Sequence, residues 1–120
     1  MSTALEPYKP GIFDLTHKLT VEKHGHTALL TINNPPANTW DRESLIGLKQ
    51  LVDHLDRDDD IYALVITGQG GKFFSAGADL KLFADGDKAR AREMASRFGE
   101  AFERLSAFRG VSIAAINGYA

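Results

Sequence analysis

Apolar and polar residues alternate from Lys18 to Lys23, with Leu19 and Val21 apolar, and Thr27 to Asn33 (TALLTIN) is rich in β-forming residues. The short link His24-Gly25-His26 predicts a hairpin between them. Asn33-Asn34-Pro35-Pro36 then stops the second strand, because neither proline can donate to a ladder. Leu45, Leu48, Val52 and Leu55 recur at intervals of three, four and three, which places them on one helical face. Thr39 or Asp41 is the expected cap of that helix. Its end is expected before the acidic run Asp56-Arg57-Asp58-Asp59-Asp60, since carboxylates are unfavourable at the negative end of a helix dipole. Ile61 to Thr67 is nearly all apolar and predicts a strand covered on both faces. Beyond a glycine-rich loop, Ala91, Met94, Phe98, Ala101, Leu105 and Phe108 predict an amphipathic helix from about Asp87 to Arg109. Val111 to Ile116 predicts another buried strand, followed by a turn at Asn117-Gly118.

Strands alternating with helices in this order build a parallel sheet with crossover helices, so the predicted class is α/β. Residues 1–17 show no sustained period and contain Pro7, Pro10 and Gly11, which predicts an irregular leader ahead of one domain over 18–120. A strand of central character this close to Ala120 leads us to expect the N-terminal part of a longer domain. Composition narrows the function. A chain of 120 residues has room for one core. Its 14 basic and 16 acidic residues give a net charge of −2, which disfavours a nucleic-acid binder relying on a positive field. The absence of cysteine removes disulfides, thiolate zinc sites and thiol nucleophiles. No apolar run approaches the roughly 18–20 residues of a membrane helix, and the first residues lack a secretory layout, so a cytoplasmic protein is expected.

Several motifs fail on spacing. Gly68-x-Gly70 lacks the third glycine of a dinucleotide fingerprint, because Phe73 stands there. Gly71-Lys72 is followed by Phe73 rather than Ser or Thr, which excludes a phosphate loop. Ser75 lacks the first glycine of a nucleophile elbow and reads as a small residue in a tight turn. Asp56-x-Asp58-x-Asp60 has Ile61 where a calcium loop needs glycine, and His24-x-His26 reads as an exposed hairpin tip, so no metal is expected. The surviving segment is Ser75-Ala76-Gly77-Ala78-Asp79-Leu80-Lys81. Its small residues let backbone approach a ligand, Gly77 can take a positive φ, and a short helix starting near Ala78 would present unpaired N–H groups. Such donors stabilise charge on a carbonyl oxygen; from the residues alone, this reading and a plain helix-entry turn weigh equally.

Three blocks resemble the crotonase (enoyl-CoA hydratase/isomerase) superfamily: TINNPPANTW from Thr31, ALVITGQGGKFFSAGADLKLF from Ala63, and VSIAAINGYA from Val111. The similarity runs from about Lys18 to Ala120, and the FSAGADLK block is its specific part. The resemblance implies a crotonase-like α/β fold of stacked ββα turns, a homotrimer or dimer of trimers, and acyl-CoA thioesters as substrates. It implies no separate cofactor, coenzyme A being part of the substrate. From the charge balance and the lack of a long apolar run, we expect neither nucleic-acid nor membrane partners. By the same resemblance, the Ala78 backbone N–H is one of two oxyanion-hole donors. Ala76, Gly77, Asp79 and Leu80 would line the CoA and acyl site, and Pro36, Ala37 and Asn38 would contact CoA. The implied activity is hydration of 2-enoyl-CoA. Isomerisation or other acyl-CoA chemistry on the same fold is the alternative, as is a non-catalytic CoA-binding module. The family's second donor and its catalytic carboxylates follow a block like INGYA, so residues 1–120 alone are expected to be inactive. With the apolar strand Val111 to Ile116 left uncovered, they are also expected to be poorly soluble or to oligomerise loosely.

Overall fold

The computed structural model describes residues 6–8 and 16–120, and it is a mixed α/β arrangement. β1 (Glu6–Pro7), β2 (Leu19–His24) and β3 (Thr27–Ile32) are antiparallel neighbours; β4 (Ala63–Gly68) and β5 (Val111–Ala114) extend the same sheet in parallel with β3. The helices are α1 (Arg42–Asp56) and α2 (Lys88–Ser106), with a short 3₁₀ turn at Leu80–Phe83. Glu6–Pro7 pairs with Glu22 and Lys23, a strand inside the stretch read as an irregular leader; residues 1–5 and 9–15 of that stretch lie outside the described residues. Gly25, at φ 59°, supplies the left-handed residue of the β2–β3 hairpin.

One sheet face carries the core. Leu19, Val21, Ala28, Leu30, Ile32, Leu64 and Ile66 face Leu45, Leu48, Leu51, Val52 and Leu55 of α1, all buried. The apolar stripe that predicted α1 is therefore its packing face. Helix α2 lies across α1 rather than on the sheet, burying Met94 and Ala101 and exchanging ion pairs Arg42–Glu93, Lys49–Glu100 and Arg104–Asp53. β4 was expected to be covered on both faces; here burial alternates along it, because Leu64 and Ile66 lie on the core face with the α1 leucines while Ala63, Val65 and Thr67 lie on the other side. All four residues of β5 are exposed, against the expectation of a buried strand, because β5 is the sheet edge and neither described helix reaches it.

Asp41 caps α1: its Oδ1 accepts from the Ser44 N–H at 2.9 Å, and Ser44 Oγ accepts from the Asp41 N–H at 2.9 Å. Lys18 Nζ donates to the same carboxylate. Burial pushes the Asp41 pKa up, but the Lys18 ammonium and the Ser44 donors outweigh it and hold it below the usual carboxylate value. At the other end α1 runs through Asp56 despite the acidic run. The reason is Arg109, whose side chain donates to the carbonyls of Asp56 (2.7 Å), Asp58 and Ile61 (3.0 Å) while its N–H donates to Asp56 Oδ1 (2.7 Å). A cation from a distant segment thus offsets the charge that should have ended the helix earlier.

Both helix ends can be tested. Arg109→Ala should lower stability by about 1–2 kcal/mol, since exposed charge-assisted bonds to carbonyls are lost, read as a lower urea midpoint. Asp41 has a depressed folded pKa, so its contribution is fully present above the unfolded value of about 4 and disappears as pH falls through the folded value. The urea-midpoint gap between the native chain and Asp41→Asn should be largest above about pH 5 and close at lower pH.

Candidate active site

β3, β4 and β5 are parallel, so their carboxyl ends point the same way, the side on which open α/β sheets place their ligands. The three segments leaving those ends, 33–41, 69–79 and 115–119, pack together. They contain most of the blocks that carry the family resemblance.

Asn38 joins the first two segments. It sits at φ 53°, a left-handed conformation that asparagine tolerates, and its side chain is buried. Asn38 Nδ2 donates to the carbonyls of Gln69 (3.1 Å) and Phe73 (3.0 Å), and its Oδ1 accepts from the Asn34 N–H at 3.2 Å. Gly68 lets this happen: a Cβ there would stand 2.5 Å from both the Phe73 and Phe74 carbonyl oxygens and 2.9 Å from Asn38 Nδ2. Asn117 grips from the opposite side, donating to the Gly68 and Gly70 carbonyls at 2.8 and 2.9 Å and accepting from the Gly68 N–H at 3.1 Å. Tyr119 adds backbone bonds to Lys72 and Phe74 at 2.9 and 2.8 Å. Ser75 is buried, its Oγ donating to the Asn38 carbonyl (2.7 Å) and accepting from the Gly77 N–H (3.1 Å). The hydroxyl is spent shaping the turn.

Next comes the segment singled out from sequence. Ala76 donates its N–H to the Ala37 carbonyl at 3.0 Å, and Gly77 turns the chain at φ 90°. Trp40 then brackets Ala78: the Trp40 N–H donates to the Gly77 carbonyl (2.7 Å) and the Trp40 carbonyl accepts from the Asp79 N–H (3.0 Å). In a parallel bridge of this kind the central residue's own N–H points away from its neighbour. The Ala78 N–H has no hydrogen-bond partner among the described residues. A helix was expected to begin near Ala78; the 3₁₀ turn begins at Leu80, and Asp79 caps it by accepting from the Lys81 N–H at 3.0 Å. The donor is open because of the bridge, not because it begins a helix.

Of the residues expected to line a site, Pro36 and Ala76 are exposed, Ala37 and Gly77 are half-buried, and Leu80 is 80% exposed beside Ala78. Asn38 belongs to the same cluster, but its side-chain polar atoms are committed to the protein's own backbone. Trp40, Ser75 and Asn117 are the residues that sequence reasoning did not assign to the site. Their signal was faint: an aromatic before a cap, a small residue in a turn, and an asparagine at a strand end.

The sequence matches the enoyl-CoA hydratase/isomerase family over residues 22–120. A short-chain-enoyl-CoA hydratase of Clostridium acetobutylicum is 30% identical over 105 residues, covering 87% of this chain and 40% of the relative. The structure of Pseudomonas aeruginosa DspI is 83% identical, with a TM-score of 0.90 over 93% of this chain and 43% of that one. Human mitochondrial delta3-delta2-enoyl-CoA isomerase is 27% identical, with a TM-score of 0.80 over 85% of this chain and 40% of that one. The chain belongs to the enoyl-CoA hydratase/isomerase family, has the crotonase fold, and spans about two-fifths of the length of these relatives.

Asn38→Ala should cost about 2–4 kcal/mol, because it strands the Gln69 and Phe73 carbonyls and leaves alanine at a positive φ. Urea unfolding checks this, and a loss under about 1 kcal/mol would contradict the role given to the amide.

Proposed function

We propose that this chain carries the thioester-polarising part of an enoyl-CoA hydratase. Water adds to the β-carbon of a 2-enoyl-CoA, negative charge moves onto the thioester oxygen, and a proton then reaches the α-carbon. The observation carrying this reading is the Ala78 N–H, open among the described residues and held by hydrogen bonds on both flanks. A fixed donor aimed at a developing oxyanion lowers the barrier without reorganising, and one such donor is worth about 10²–10³ in turnover.

Exposed Ala76 and Leu80 beside that donor, with Pro36 and Ala37 on the neighbouring segment that Ala76 bonds to, are the surfaces offered to CoA and its acyl chain. Asp79 is the one carboxylate of the 69–79 loop and is engaged in capping, so the proton donor and acceptor are assigned to sequence outside these 120 residues. The same polarising geometry serves double-bond isomerisation, a reading favoured by the likeness to an enoyl-CoA isomerase. Coenzyme A enters as part of the substrate, and the proposal needs no separate cofactor. We place the working protein in the cytoplasm as a trimer or pair of trimers. Among the described residues, no helix is long and apolar enough to cross a membrane.

Calorimetric titration tests the reading. The chain should bind crotonyl-CoA more tightly than CoA, since only the thioester has the carbonyl that Ala78 receives. A folded Ala78→Pro variant, lacking the N–H, should lose that preference. Retention of the preference would sink the assignment. The 120-residue chain should leave the crotonyl-CoA absorbance unchanged; hydration at an enzyme-like rate would overturn the placement of the carboxylates.

A further inference from the structure

We infer that Trp40 is the positioning residue for the Ala78 N–H, and that Phe102 of α2 holds its ring in place. This rests on the functional reading above and extends it to residues that do not touch the substrate. Trp40 makes both bonds that flank Ala78, so the direction of the Ala78 N–H follows the Trp40 peptide. Any residue could make those two bonds through its main chain; the ring determines whether that peptide stays still.

The ring is only 5% exposed. It meets Phe102 edge-on, with centroids 5.4 Å apart and planes at 87°, and Phe102 stacks on Phe98 at 5.9 Å and 10°. Edge-to-face contacts are directional, so the pair fixes orientation as well as burying area. Trp40 also directly precedes Asp41, the cap of α1, so its peptide is held on the following side too. Helix α2 touches the neighbours of Ala78 twice, through Phe102 on Trp40 and through its packing on the 3₁₀ turn at Leu80–Phe83. That double contact lets the long helix steady the site although it does not pack on the sheet.

Phe102 is 37% exposed, so its truncation costs less than loss of a fully buried ring, and the urea midpoint of Phe102→Ala checks that the variant is folded. Amide hydrogen exchange of the full chain reads the bracket directly. The Asp79 amide, donated to Trp40, should lose protection about tenfold in Trp40→Ala and Phe102→Ala, whereas the Ala76 amide, donated to Ala37, should not change. Trp40→Phe, which keeps an aromatic ring against Phe102, should restore most of it. In titrations the two alanine variants should lose about threefold to tenfold of the preference for crotonyl-CoA over CoA, the value of one hydrogen bond. A general loosening would instead weaken both ligands alike. Trp40 is the only tryptophan in the chain, so a change in emission on adding crotonyl-CoA comes from this position. Native exchange at Asp79 in Phe102→Ala would overturn the inference whatever the ligand does. A native chain without the crotonyl-CoA preference would defeat the functional reading instead, and exchange at Asp79 would still decide the role of Trp40.

Discussion

Asn38 carries a buried amide that the surrounding loops cannot do without. Loops at the ends of parallel strands have no ladder of their own, and each backbone group they bury must find a partner. Here one side chain satisfies two carbonyls of the β4 loop and an N–H of the β3 loop. Its own carbonyl receives the Ser75 hydroxyl, which in turn receives the Gly77 N–H. The chain from Asn34 to Gly77 is therefore one connected network, and the turn that exposes Ala78 is its last member. A buried polar network of this kind is rigid only while complete. That ties the geometry of the donor to the folding of a loop well before it in the chain.

The second constraint is close approach. Gly68 and Gly118 both stand where a Cβ would collide with backbone, at 2.5 Å from the Phe73 carbonyl oxygen and 2.4 Å from that of Lys72. These glycines let the loop after β4 lie flat between its two neighbours, with Asn38 on one side and Asn117 on the other. Gly77 serves another purpose. Nothing crowds it, and its φ of 90° is what turns the chain toward Trp40. Two kinds of glycine thus build one site, one by absence of volume and one by backbone freedom.

Much of this was legible in the sequence wherever periodicity and packing agree. Leu45 to Leu55 announced α1, whose stripe is buried whole, and Asp87 and the run from Ala91 to Leu105 announced α2, which buries Met94 and Ala101 and half-buries Phe98 and Leu105. The hairpin at His24–His26 was readable for the same reason. The end of α1 was not, because the cation that makes Asp56 tolerable comes from Arg109, 53 residues away. The small residues 75–78 were recognisable as a place where backbone meets a ligand. The cause of the open N–H was hidden, since a bridge between Trp40 and Ala78 leaves no local pattern. The roles of Asn38, Ser75 and Asn117 were hidden likewise, because a polar residue in a loop looks the same whether it faces water or buried carbonyls.

The grip of Arg109 on the end of α1 also makes that helix end depend on sequence that is synthesised well after the helix itself. The hairpin and the whole apolar face of α1 are complete by residue 56, so they can collapse together as soon as they leave the ribosome. The last carbonyls of that helix, with the acidic run behind them, must then face water until residue 109 arrives. Helix α2 emerges in the interval, between the terminus that waits and the arginine that closes it. Docking α2 onto α1 and fastening the helix end therefore both depend on sequence that follows β4, and the acidic end of α1 draws its compensation from the far side of the helix that packs on it.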